Sequence, residues 1–149
     1  MRLKNKKAFT MIELVFVIVI IGVLSAIAIP KLGATVNLAY ISKGKNTLAI
    51  VRSALSTERQ KSILRGSFAS VTIYNAPGRV FTRFTDVNGS RILNNDLPSC
   101  ADIGCWSVAG TTEIIYTFHR DASTNCTYKL KSNRFVDTTP SPGCTELEE

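Results

Sequence analysis

Residues 9–30 read Phe9-Thr10-Met11-Ile12-Glu13-Leu14 and then VFVIVIIGVLSAIAI to a closing Pro30. Between Phe9 and Ile29 the only charge is Glu13, and the only other polar side chains are Thr10 and Ser25. As a helix rising 1.5 Å per residue, this stretch spans about 30 Å, the thickness of a bilayer's hydrocarbon core. Arg2, Lys4, Lys6 and Lys7 stand just ahead of it. A basic start followed by an apolar run is the layout of a secretory signal. The run is longer than the usual signal core, and no convincing cleavage site ends it: Ser25-Ala26-Ile27-Ala28 is small, but Ile29-Pro30-Lys31 follows. The simpler reading is one uncut membrane helix. The four cations hold its N-terminus in the cytoplasm and send the rest of the chain across the membrane.

Glu13 does not fit a plain anchor. A carboxylate well inside an apolar helix costs about 2–3 kcal/mol on insertion scales, and such residues usually carry a function. Lys6-Lys7-Ala8-Phe9-Thr10-Met11-Ile12-Glu13-Leu14, the apolar run and Pro30 together resemble the prepilin cleavage and methylation motif of type IV pilins and type II secretion pseudopilins. The resemblance covers about the first 32 residues. Ala8 stands where glycine is usual, and Met11 where leucine is common.

The resemblance implies a site and a set of partners. A prepilin peptidase cuts Ala8–Phe9 on the cytoplasmic side, and Phe9 becomes the N-methylated first residue. Glu13 then neutralises the Phe9 amine of an adjacent subunit as the chains assemble. Positions four apart share a helix face, so a pairing within one chain is the alternative. In that family the region around the matching proline melts on packing, which corresponds here to residues 22–30. The partners implied are the peptidase, other copies or related pilin subunits, and a secretion or pilus platform in the inner membrane. The chain becomes a structural subunit of a type II secretion pseudopilus or a type IV pilus, with its head in the periplasm or on an extracellular filament. It is a substrate, not an enzyme, and no cofactor is expected.

From Lys31 to about Arg65 the pattern stays helical. Leu38, Ile41, Leu48, Val51 and Leu55 form an apolar stripe, extended backwards by Ala34, while Lys43, Asn46, Ser53, Arg59 and Gln60 lie opposite. Gly66 is a natural stop after Arg65. Pro30 removes a backbone donor and clashes with the carbonyl of Ala26, so a kink is expected there.

Beyond Gly66 the signals turn to short strands. Val71 to Tyr74 and Val80 to Thr85 read as strands, and Ile92 to Leu97 fits either a short helix or an extended loop. Glu113 to Arg120 alternates, with Ile114, Tyr116 and Phe118 on one face and Ile115, Thr117 and His119 on the other. Cys126 to Leu130 and Arg134 to Val136 flank a hairpin at Lys131-Ser132-Asn133, and Trp106 opens another strand. Nine aromatics beyond residue 66 (Phe68, Tyr74, Phe81, Phe84, Trp106, Tyr116, Phe118, Tyr128, Phe135) fill a modest core. The fold expected is α+β and pilin-like: a long N-terminal helix, half membrane and half amphipathic, packed on a small antiparallel sheet of three or four strands. The divisions are a leader at 1–8, a transmembrane and assembly helix at 9–30, an amphipathic stalk at 31–66 and a β-rich head at 67–149.

Cys100, Cys105, Cys126 and Cys144 allow three pairings, and an oxidising compartment favours disulfides. Proximity favours Cys100–Cys105 with Cys126–Cys144. The spacing argues against zinc, since no histidine accompanies it, and no metal site is expected. In many type IV pilins a C-terminal disulfide loop is an exposed recognition region, which the stretch from Cys126 to Cys144 resembles; it serves equally as a staple.

Several weaker signals complete the reading. Asp86-Val87-Asn88-Gly89-Ser90 reads first as an Asn-Gly turn. Asn88 also fits a glycosylation acceptor, whereas a calcium loop fails at Leu97. Asp121, Asn125 and Asp137 offer oxygens without a spacing rule. His119, beside Arg120 and Asp121, has no serine or cysteine motif and reads as an ordinary strand histidine. Arg79, Arg83 and Arg91 form a basic patch, the basis of an alternative function: a minor or tip subunit that binds DNA or a surface, in natural transformation or adhesion. The formal charge of +7 is weak support, because four of the cations precede Phe9.

Overall fold

The computed structural model describes residues 9–85, 89–110, 113–138 and 141–148. The chain is α+β: a long N-terminal helix, α1 (Met11–Leu64), is followed by small antiparallel sheets. Described residues from Phe9 to Val36 fall in one unit and those from Asn37 onward in another.

In the first unit the backbone is helical through Pro30. Every described side chain from Phe9 to Leu38 is exposed except Ser25. A contiguous apolar surface of this size is not tolerated in water by a soluble monomer. The helix is long and apolar enough to cross a membrane.

The second unit begins with the rest of α1. Gly66 (φ 78°) ends the helix in the left-handed region. Ser67 N–H donates to the Ser62 carbonyl at 3.0 Å and Gly66 N–H to that of Ile63 at 2.9 Å. This is the Schellman arrangement, which satisfies carbonyls the last turn would otherwise leave open. The expected stripe is buried at Leu48, Val51 and Leu55 and half-buried at Ile41, but Leu38 is 64% exposed. The side chain of Ala34 lies outside the description. Arg59, placed on the polar face from sequence, is half-buried and donates to the Ala69 carbonyl at 2.8 Å.

The strands are β1 (Ile73–Tyr74), β2 (Arg79–Val80), β3 (Arg83–Phe84), β4 (Leu97–Pro98), β5 (Trp106–Ala109), β6 (Ile115–His119), β7 (Asn125–Lys131) and β8 (Arg134–Asp137), before a short helix α2 (Pro142–Thr145). β1 pairs with β3 and β2 with β4, while β5 to β8 form an antiparallel meander in chain order. The strand expected over 80–85 is split between β2 and β3. Phe81 interrupts it at φ 53°, a strained value for a bulky residue. Its amide donates to Asn75 Oδ1 at 2.9 Å, and its ring sits in the core against Trp106, Tyr116 and Phe135. The open reading of Ile92 to Leu97 resolves to bends leading into β4. The hairpin closes through Ser132 and Asn133, both at positive φ, the two-residue turn that matches strand twist.

The expected alternation holds along β6: Tyr116 and Phe118 are buried, and Ile115, Thr117 and His119 face outward, half-buried. Seven of the nine head aromatics are buried; Tyr74 is half-buried and Phe68 is 74% exposed. Phe118 rests on α1 at Gly44, where an added Cβ would lie 2.6 Å from Cζ of the ring. Disulfides join Cys100 to Cys105 and Cys126 to Cys144. The second is fully buried, and it sits with buried Leu147 in the core. A bridge over 18 residues contributes about 3 kcal/mol in the chain-entropy picture.

The Gly44 contact makes a sharp stability test. Gly44→Ala should destabilise the chain by about 1–2 kcal/mol, the overpacking cost less the gain in helix propensity. Urea unfolding in detergent, followed by the single tryptophan Trp106, measures it. In a Phe118→Leu background the same change should become neutral or stabilising; equal costs in both backgrounds would mean that the ring does not press on Gly44.

Burial pushes the Tyr116 phenol up from 10.0 to about 12, only partly offset by the Asn75 amide donating to its oxygen at 2.8 Å. Burial also moves Tyr128 upward, helped by the Asp137 and Glu148 carboxylates. A phenol raised in the folded state favours folding fully below pH 10, and that contribution disappears as pH rises toward about 12. Alkaline unfolding should therefore release tyrosinate absorbance cooperatively, and Tyr116→Phe should blunt the loss of stability in that window. A stability profile identical to that of the parent chain would count against this origin.

Candidate functional site

The first turn of α1 explains why an acid stands at position 13. Thr10 precedes the helix as its N-cap, and Glu13 is the third helical residue. Glu13 N–H donates to Thr10 Oγ1 at 3.3 Å. In return, Glu13 Oε2 accepts from the Thr10 hydroxyl at 3.3 Å and from its amide at 3.5 Å. This reciprocal pair is a capping box, Thr-x-x-Glu, which satisfies donors that a helix start leaves open. The carboxylate also lies at the positive end of the helix dipole. The pattern is written in the sequence at Thr10 and Glu13, and reading Glu13 only as a membrane acid overlooks it. Phe9 lies just ahead of the helix, outside its hydrogen-bonded turns.

Phe9 is exposed next to this cap, and Ala8 lies outside the described residues. From Met11 on, the helix presents Ile12, Leu14, Val15, Phe16 and their successors to the outside on every side. The arrangement is a capped, acid-bearing helix start leading directly into an apolar helix that no other described residue covers.

The other predicted positions are spread through the head. Asn88 lies outside the described residues. Arg79 and Arg91 both reach Asp96, at 3.7 and 3.3 Å, and Arg83 donates to the Gly89 carbonyl at 3.1 Å, so two of the three arginines share one carboxylate here. A second cluster, Arg52, Arg59 and Arg134, lines a groove between α1 and β8. There too Arg52 is engaged by Glu148 at 2.6 Å and by the Phe135 carbonyl. Asp121 Oδ1 accepts from the amides of Ser123 and Thr124 and from the Ser123 hydroxyl, which holds its carboxyl down to about 2. That explains Asp121 as a turn residue. Asn125 points to His119 instead. Among the described residues no three His, Cys, Asp or Glu side chains gather into a group able to hold a metal.

Residues 3–29 match the family model described as the prokaryotic N-terminal methylation motif, the signature of type IV pilins and pseudopilins. The match spans the basic start, the Thr10–Glu13 cap and the apolar run as far as Ile29. No solved structure matches the chain.

The cap can be tested separately from any assembly. Thr10→Val should cost about 1 kcal/mol of first-turn stability. In micelles this reads as roughly fivefold faster hydrogen exchange of the first-turn amides at fixed pH, and Thr10→Ser should restore it. Equal exchange in the Val and Ser variants would show that the hydroxyl does not cap.

Proposed function

We propose that this chain is a structural pilin-like subunit, cut by prepilin peptidase at Ala8–Phe9, N-methylated on Phe9 and assembled through α1 into a type II secretion pseudopilus or a type IV pilus. The observation that carries this reading is the coincidence, in one short segment, of the methylation motif with a capped helix start and an uncovered apolar helix. Residues 1–8 act as the leader, 9–30 as the membrane and assembly segment, 31–66 as the stalk and 67–149 as the head. Before cleavage the N-terminus is cytoplasmic, the helix crosses the inner membrane once, and the head is periplasmic. Catalysis is not the role of this subunit in the filament.

Glu13 has a specific part in this scheme. A membrane-embedded carboxylate needs a partner, and cleavage makes one: the new ammonium on Phe9 of a neighbouring copy. The contacts with Thr10 all fall on Oε2, so a cation can approach the carboxylate while the helix stays capped. The interchain pair then fixes the axial register between copies.

Intact mass of the chain recovered from its native host should correspond to a start at Phe9 carrying one added methyl. A chain still beginning at Met1 would reject processing. Glu13→Ala should insert into membranes at the parent level and lose incorporation into filaments by at least about tenfold, whereas Glu13→Asp retains part of it. Normal incorporation of Glu13→Ala would remove the pairing role while leaving the processing result untouched.

A further inference from the structure

Three side chains on the outward face of the four-stranded sheet form a continuous hydrogen-bonded chain that the filament reading does not use. Ser107 Oγ lies 2.8 Å from His119 Nε2, and His119 Nδ1 lies 2.9 Å from Asn125 Oδ1. The register brings them together from three strands. Asn125 of β7 is directly opposite His119 of β6, and Ser107 of β5 is opposite Thr117, hence diagonal to His119. On the inward face their neighbours Trp106, Phe118 and Cys126 are all buried. The backbone of His119 is pinned on both sides: its N–H donates to the Cys105 carbonyl at 2.9 Å, and its carbonyl accepts from Gly104 N–H at 2.7 Å. Cys105 and Cys126 are each held by a disulfide, so the strands carrying the three side chains are tied at this end of the sheet.

The chemistry follows from donor and acceptor roles. Asn125 Oδ1 is an acceptor only, so the proton facing it is on Nδ1. In the neutral imidazole that leaves a lone pair on Nε2, which accepts from the Ser107 hydroxyl. A serine donating to an imidazole whose other nitrogen is held by a third group is the arrangement that activates a hydroxyl nucleophile. Thr117 and Thr127 share this face but lack that arrangement: Thr117 is cross-paired with Ser107 and Thr127, and the Thr127 hydroxyl lies 2.9 Å from that of Thr138. Ser107 and His119 are half-buried and Asn125 is exposed, so a dissolved reagent can reach the hydroxyl while the imidazole stays oriented.

We propose that Ser107 is an acyl-acceptor site on the head, taking an acyl group from an activated ester with His119 as general base and Asn125 as positioning residue. Ser107 Oγ attacks the carbonyl carbon of the donor, and its proton passes to His119 Nε2. The new bond is Oγ–C; the bond that breaks joins that carbon to the leaving oxygen, which departs with the electron pair and takes the proton from Nε2. The products are an ester on Ser107 and a free alcohol or phenol, with no change in oxidation state. The site is independent of processing at Phe9 and of Glu13.

The test treats the full chain in detergent micelles with p-nitrophenyl acetate and maps acetylated residues by peptide mass spectrometry. Ser107 should acetylate about 100-fold faster than Ser123, the lower range for a positioned general base. Ser107→Ala should remove the ester, and His119→Gln should slow it by about 100-fold with Trp106 fluorescence unchanged. Asn125→Leu should slow it by about tenfold and Asn125→Asp restore it, a rescue that a merely structural side chain does not produce. If His119→Gln disturbs the fold, the Asn125 pair still decides. Acetylation of Ser107 no faster than that of Ser123, insensitivity to Asn125→Leu, or an adduct that stays on His119 overturns the proposal.

Discussion

The ring of Phe118 lies against α1 where Gly44 offers no side chain, and the head is arranged around that close approach. Because the helix backbone comes so near the sheet there, the next turns can place Leu48, Val51 and Leu55 into a cluster of rings. Trp106, Tyr116, Tyr128, Phe81 and Phe135 fill it at centroid separations between 4.7 and 5.7 Å. Such rings supply large buried areas from few residues, which a head of this size needs. The core also carries costs: Trp106 Nε1 and the Tyr128 hydroxyl are buried with no hydrogen-bond partner among the described residues, at about 1–3 kcal/mol each. The buried disulfide between Cys126 and Cys144 offsets a cost of that size by restricting the unfolded chain.

The same helix obeys two solvents. From Ile41 onward it is amphipathic, because one face meets the sheet and the other meets water. Up to Ile29 it is apolar all round, which suits hydrocarbon or neighbouring helices and nothing else. Leu38 falls where these regimes change over. Counted into the stripe by its spacing alone, it is exposed like the residues before it. Glu13 answers a different demand from either regime. At the helix start its carboxylate accepts from the Thr10 amide and sits at the positive end of the dipole, so part of the cost of an acid in an apolar segment is met within the chain itself.

Legibility in the sequence followed the strength of local pattern. The apolar run, the Gly66 stop, the alternation of Glu113 to Arg120 and the hairpin at Ser132-Asn133 are short-range signals, and each appears in the fold where it was read. The strand read at Val71 to Tyr74 appears as Ile73–Tyr74, whereas the two residues Leu97–Pro98 leave too little alternation to register. Phe81 breaks its strand through a positive φ held by Asn75 and by ring packing, a tertiary cause with no local mark. The contact of Ser107, His119 and Asn125 depends on the register of three strands, so no spacing rule in one dimension could reveal it. The sharing of Asp96 by Arg79 and Arg91 is hidden for the same reason, since the acid reaches both only through the fold.

The C-terminal tail is part of the core and not an appendage to it. Leu147 and Cys144 are as buried as the sheet's own aromatics, and two ion pairs pin the acids around them: Glu146 to Arg120 and Glu148 to Arg52, each at 2.6 Å. Half-exposed pairs of this kind are worth little individually. Their value is geometric, since Arg52 stands on α1 and Arg120 follows β6, so the tail bridges helix and sheet. Residues 144–148 therefore staple the helix to the sheet. This also explains the placement of the cysteines: Cys126 faces inward next to outward-facing Asn125, so closing the bridge orders the core on one side of the strand and steadies the polar face on the other.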